Sequence, residues 1–210
     1  MVELLETGLD KQNLRPCQSV NYLESHDDYS LVDRFRDLSI WEDQTSIPEE
    51  VVGRVMMAMG LLLVSPGVPM LSAGQDFLRH KRGIRNTYLL GEVNALKYPH
   101  EELYKREVRF IRELIRLRIG EPGRRARQTL AEEWQICTFS TPSSAVIAFA
   151  WESKVTQEKF LITANAGLSE AEISLPDSWR THSSLLVGYR SNGDCPRWVG
   201  PLSFSWFTFK

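Results

Sequence analysis

The chain has 210 residues, enough for one large domain or two small ones, and its 42% apolar and 25% charged residues are ordinary for a globular protein. A formal charge of −2 provides no overall field to draw in nucleic acid or an anionic membrane. The longest apolar run, Leu61 to Val64 with its Met-rich lead-in, is too short to span a bilayer.

The first twenty residues carry Glu3, Glu6 and Asp10 without a basic leading stretch, so no signal peptide is read there. Cys17, Cys137 and Cys195 lie too far apart for a metal spacing or a disulfide framework. The expectation is free, buried thiols in a reducing, cytoplasmic compartment.

In chain order, Gln18–Leu23 reads as a short strand, with Val20 and Tyr22 on one face and Asn21 and Leu23 on the other. Ser30 then opens a short helix, with Asp33 completing a capping box and Leu31, Phe35 and Leu38 forming the apolar stripe. After a charged loop, Pro48, Glu49 and Glu50 suit a first helical turn. Val51, Val52, Val55, Met56, Met59, Leu62 and Leu63 then recur at helical spacing up to Pro66-Gly67. Val68 to Ser72, bounded by Gly67 and Gly74, predicts a buried strand. A loop with Gly83, Asn86, Gly91 and Asn94 leads to a helix over 101–119 that buries Leu103, Val108, Ile111, Leu114, Ile115 and the stem of Arg118. This βαβα order builds parallel sheets and barrels.

The rhythm changes near residue 123. Strands are expected at Trp134–Thr141, Ala145–Trp151, Phe160–Ala164, Ala171–Leu175, Leu185–Gly188 and Ser203–Phe209, with turn residues between them. That is an antiparallel sandwich or barrel. Two domains follow, 1–122 and 123–210. The first has too few strands to cover both faces of a parallel sheet, so it reads as part of a larger unit.

Between strand and helix lies NYLESHDDYS, which sets His26 beside Asp27 and Asp28, with Glu24 nearby. Metal ligation through His26-Asp27 would need a histidine upstream, and none precedes it. One carboxylate could serve acid/base chemistry, although glycosidase pairs normally come from different strands. A plain cap of the neighbouring strand and helix is the third reading.

The run VNYLESHDDYSLVDRF resembles the fourth conserved motif of the α-amylase superfamily, glycoside hydrolase family 13, most closely in its type I pullulanase form. Further on, SPGVPMLSAGQDFLR resembles that group's eighth-strand motif, and GIRNTYLLGEVNALKY resembles the loop after it. The resemblance covers roughly residues 15–120. It implies the last two βα units, strands seven and eight, of a (β/α)8 barrel, followed by the family's C-terminal β-domain.

It also implies that Asp27 is the third catalytic carboxylate, which stabilises an oxocarbenium-like sugar ring by accepting hydrogen bonds from ring hydroxyls. His26, Asp28, Asn86, Tyr88 and Asn94 become substrate-binding candidates, with Asp76 and Arg79 in support; an Asp76–Arg79 ion pair and loop-ordering hydrogen bonds are the plainer readings. The family's nucleophile and general acid belong to the fourth and fifth strands, so this chain alone is expected to be inactive.

The implied partner is an α-glucan: glycogen, starch, pullulan or maltooligosaccharide. No cofactor and no metal are implied. Self-association through the open side of the barrel is a further expectation. The sequence departs from the family pattern at Asp28, where the pattern has Asn; at Asp76, where it has Glu; and in VNALKY, which lacks its Gln and terminal acid-Trp.

PGRRAR with Arg112, Arg116 and Arg118 reads as a solvated, salt-bridged face rather than a nucleic-acid patch. Trp134, Trp151 and Trp206 sit in strand patterns and are expected in the core, while Trp41 and Trp198 are the sugar-stacking candidates. The alternative to a glycosidase part is a non-catalytic β-sandwich module that binds glycan or another protein.

Overall fold

A computed structural model describes residues 19–36, 46–121, 123, 134–179 and 183–209. Cys17, Leu38 and Trp41 lie outside the described residues. The N-terminal half holds β1 (Val20–Asn21), α1 (Leu31–Phe35), α2 (Glu49–Val64), β2 (Val68–Pro69), α3 (Gly91–Asn94), α4 (Pro99–Leu103) and α5 (Lys105–Ile119). The C-terminal half holds β3 (Trp134–Thr138), β4 (Val146–Ser153), β5 (Lys159–Asn165), β6 (Ala171–Glu172), β7 (Ser183–Tyr189), β8 (Trp198–Val199) and β9 (Ser203–Phe209).

β1 and β2 pair in parallel, Val20 with Val68 and Asn21 with Pro69, as the helix-length crossover requires. β3-β4-β5-β9-β7 form an antiparallel sheet, and β6 and β8 form a separate ribbon. Two-residue alternation gives that sheet two apolar faces. Phe149, Trp151, Phe160, Ile162, Phe204 and Trp206 face one cluster, shared with α1, α2 and α5. Val146, Ala148, Ala150, Leu161, Phe207 and Phe209 face a second, closed by Ile173, Leu175, Trp179 and Val199. The C-terminal half is thus of the sandwich type. Trp134, Trp151 and Trp206 are buried as expected.

α2 is apolar on nearly every side because it is covered on nearly every side. Its glycines set how closely it approaches the sheet. A Cβ on Gly60 would lie 2.6 Å from the Phe204 ring, and one on Gly53 would lie 2.6 Å from Leu202 Cβ. At its C-terminus the buried Arg118 guanidinium of α5 donates to the carbonyls of Leu63, Ser65 and Gly67. That satisfies carbonyls which the helix end leaves open, with a cation at the negative pole. Tyr189 of β7 donates to Glu107 of α5 at 2.8 Å, a buried bond that ties helix to sheet.

Several expectations change. The buried strand over 68–72 is only two residues long and is exposed: Val68 and Met70 are 45% and 39% accessible, because no described layer covers the outer face of the parallel pair. The helix over 101–119 is two helices, since Tyr104 leaves helical geometry at φ −110°, ψ 33°. That break puts Leu103 on α4, exposed rather than buried. Cys195 is an exposed free thiol, not a buried one. Trp198 belongs to β8, a strand too short to carry a visible alternation.

Gly60→Ala is expected to cost about 1–3 kcal/mol through overpacking against Phe204. Urea unfolding followed by tryptophan fluorescence and by far-UV circular dichroism should show one coincident, lowered midpoint, because α2 and the sheet share a core. An unchanged midpoint would mean that α2 does not sit on β9.

Candidate functional site

Because β1 and β2 are parallel, the loops that follow them leave from the same edge. The first loop runs from Tyr22 to α1. Glu24 turns back into the protein, buried, and accepts the Leu31 amide. Burial pushes its carboxyl above the usual range, against the pull of that amide. Ser30 caps α1: its hydroxyl accepts the Asp33 amide at 3.2 Å and donates to the Asp33 carboxylate at 2.7 Å.

The second loop carries Gly74, Leu78, Arg82 and Gly83 in left-handed conformations. It is docked onto the first. The wholly buried Asp33 carboxylate accepts the amides of Lys81 at 2.7 Å and Gly83 at 2.9 Å. In return, the ammonium of Lys81 donates to the carbonyls of His26 at 2.8 Å and Asp28 at 2.6 Å.

On this base His26 and Asp27 stand in solvent, their side chains 91% and 74% exposed, with Nε2 and Oδ2 3.3 Å apart. An imidazole and a carboxylate side by side on an open rim can donate to and accept from hydroxyl groups.

Asp28 is engaged otherwise. At φ 62° its carboxylate accepts the Tyr29 amide at 2.9 Å and pairs with Arg34 at 3.0 Å and Arg85 at 3.2 Å. That amide first, then the two guanidiniums, hold its carboxyl below the usual range.

Asn94 accepts from Arg79 at 3.1 Å and from Thr87 at 2.6 Å, which orders the loop. Arg79 is therefore turned to Asn94, and among the described residues no ion pair joins it to Asp76. Tyr88 is 77% exposed, and Asn86 beside it is exposed as well. Three buried atoms beneath the rim, Glu24 Oε1, Gln75 Nε2 and Arg79 Nε, have no hydrogen-bond partner among the described residues. No group of His, Cys, Asp and Glu among those residues is arranged to hold a metal ion. Of the basic cluster, Arg112 lies 3.8 Å from Glu101, Arg118 is buried against carbonyls rather than solvated, and PGRRAR lies outside the described residues except for Gly123.

Sequence reasoning missed Lys81. Within RHKRG it looks like one solvated cation among others, and only the fold shows that it is buried. Asp33 was legible as a cap but not as the anchor of a distant loop.

No family model matches the chain. Over 113 residues it is 34% identical to a pullulanase of Bacillus subtilis (strain 168), a match that covers 53% of this chain and 15% of that protein. It is 27% identical to a glycogen debranching enzyme of Dickeya chrysanthemi, in a match that covers 85% of this chain and 32% of that protein. An isoamylase of a Flavobacterium species matches at 27% over 123 residues. These matches make the chain similar to members of the α-amylase superfamily of glycoside hydrolases.

Its fold agrees. The pullulanase of Anoxybacillus sp. LM18-11, solved with maltotetraose, superposes with a TM-score of 0.78 at 22% identity, over 100% of this chain and 30% of that one. The type I pullulanase of B. subtilis, solved with maltose, gives 0.74 over 99% and 30%. The chain thus spans between 15% and 32% of the length of these curated and solved superfamily members.

His80, on the second loop, gives the region a pH dependence. Burial, with Lys97, His100 and Arg36 adding positive potential against the opposing Asp33, pushes its pKa down to about 4 from 6.5. Between those values the unfolded chain binds a proton that the folded chain refuses, so stability falls as pH drops from 6.5 towards 4. The loss is about 2 kcal/mol once solvent screening of a partly exposed ring is allowed for. Urea midpoints between pH 7 and 4.5 should fall less steeply in His80→Gln; equal slopes would rule this origin out.

Proposed function

We propose that this chain is the C-terminal part of a retaining α-glucan hydrolase of the debranching type, and that Asp27 is its transition-state-stabilising carboxylate. The observation that carries the reading is the exposed His26–Asp27 pair, held 3.3 Å apart on a rim built from two cross-locked loops. An ionised carboxylate so placed accepts short hydrogen bonds from sugar hydroxyls, and bonds that tighten as the ring flattens lower the barrier.

In this reading β1 and β2 are the seventh and eighth strands of a (β/α)8 barrel, and both loops sit at its C-terminal face. The barrel portion is 1–122 and the β-sandwich domain is 123–210. His26, Asn86 and Tyr88 meet the glucan, whose class is that of pullulan, glycogen, starch or maltooligosaccharide. Asp28 and Asn94 shape the rim through their ion pairs and loop contacts, and Asp76 and Arg79 support it from behind. The nucleophile and general acid come from strands outside this chain, which by itself hydrolyses nothing.

The exposure of Val20, Tyr22, Val68 and Met70 favours a second, compatible reading, in which the open parallel pair associates with another copy when the missing strands are absent.

Two measurements test this. The isolated chain should release no reducing sugar from pullulan, and light scattering should show a dimer at tens of micromolar; measurable hydrolysis or a strict monomer would refute the respective statement. In the polypeptide that completes the barrel, Asp27→Ala should lower turnover about a thousandfold. The side chain is exposed, so stability should change by less than about 0.5 kcal/mol. Turnover within tenfold of the unsubstituted enzyme would reject the assignment.

A further inference from the structure

We propose that Lys81 is the positioning residue for Asp27, and that its ammonium is the clamp that fixes the Asp27 main chain from both sides. The carbonyls it grips belong to His26 and Asp28, the residues immediately before and after Asp27, at 2.8 and 2.6 Å. With the carbonyls on either side of it pinned, the main chain at Asp27 has less room to move, and the range open to its carboxylate narrows with it.

A surface lysine could not do this. Four flexible bonds would cost rotamer entropy at every contact, whereas Lys81 is 1% exposed and its main chain is already fixed by the Asp33 carboxylate. The clamp deepens the reading of Asp27 given above and rests on it for its catalytic meaning, but its geometry is independent of that reading.

The groups that face the ammonium come from both loops. Arg79 lies on its own loop; Glu24 and Asp27 lie on the loop after β1, and Asp33 lies on α1. Burial first, and Arg79 next, lower the lysine pKa from 10.5, while the three carboxylates oppose them. Neutralising the amine weakens the charge-assisted bonds to the two carbonyls. The clamp should therefore loosen at lower pH than an exposed lysine would titrate.

The unmodified chain gives the first test. Carbon-detected NMR from pH 7 to 11 would follow Lys81 Cε, the carbonyl carbons of His26 and Asp28, and Asp27 Cγ. All four are expected to move with one midpoint below 10.5. Carbonyls that stay still while Lys81 titrates would overturn the proposal.

Lys81→Met provides the second. Amide exchange at Tyr29, whose N–H is bonded to the Asp28 carboxylate, should rise at least about tenfold while protection in β4, β5 and β9 stays unchanged. A uniform rise across the sheet, or none at the loop, would also overturn it. Neither readout involves turnover, so the clamp can fail while the glycosidase reading stands, and the reverse. In the completed enzyme Lys81→Met should lower kcat roughly tenfold to a hundredfold with KM within about threefold, the pattern of a misaligned rather than an absent group.

Discussion

The Asp33 carboxylate is the contact on which the site depends. A buried, unpaired carboxylate would be prohibitively costly, and Asp33 is fully buried. It is stable there because the Ser30 hydroxyl and the Lys81 and Gly83 amides all donate to it. Hydrogen bonds to charged groups contribute about 1.5–3 kcal/mol each. The loop after β2 therefore cannot leave α1 without stranding a charge in the interior. Lys81 closes the lock with the opposite sign, its cation gripping the main chain of the first loop. α1 supplies the anion and the loop after β2 the cation, and each charge is bonded by main-chain groups of the opposite segment.

This lock matters because the strands beneath it contribute little rigidity. β1 and β2 are two residues long, and the outer face of the pair is open. The rim is held from below by α2. Gly53 and Gly60, two turns apart on one helix face, bring that helix onto Leu202 and Phe204. Arg118 then grips the carbonyls at the junction between α2 and β2. Position passes from the antiparallel sheet to α2, from α2 to the start of β2, and from there to the two loops. The antiparallel sheet is thus part of what holds the loop of Asp27, since one apolar core joins it to α1, α2 and α5.

Features that depend on neighbours in sequence were legible in advance. The Ser30 cap, the apolar spacing of α2 and the alternation of Ser203–Phe209 each arise within a few residues, and the structure contains all three. The Asp33 carboxylate, however, bonds the Ser30 hydroxyl and a distant loop rather than closing the expected box on the Ser30 amide. Features that depend on distant partners were not. Leu103 has helical spacing but lies beyond the break at Tyr104. Val68 and Met70 carry the composition of a buried strand without a layer to bury them. Lys81 and Arg118 are basic residues in basic stretches; the helical pattern buries the Arg118 stem, but only the long-range fold reveals that Lys81 is buried and that both grip carbonyls. The motif resemblance pointed to Asp27 and its loop, but the residues that hold the loop still could be found only in three dimensions.

The same distinction accounts for Asp28, where the related motif has an amide. A second carboxylate beside Asp27 would be expected to repel it and to blur which group is free to bind. Arg34 and Arg85 remove that conflict by pairing with Asp28 on the protein side, and the Tyr29 amide takes one of its oxygens. An Asn would keep the left-handed backbone and the bond to that amide. What the charge adds is an anchor for Arg85, on the second loop, so that a third contact spans the rim. The negative charge of Asp28 is taken up by two solvent-exposed ion pairs, and Asp27 remains the carboxylate of this loop that faces solvent without a cationic side chain of Lys or Arg against it.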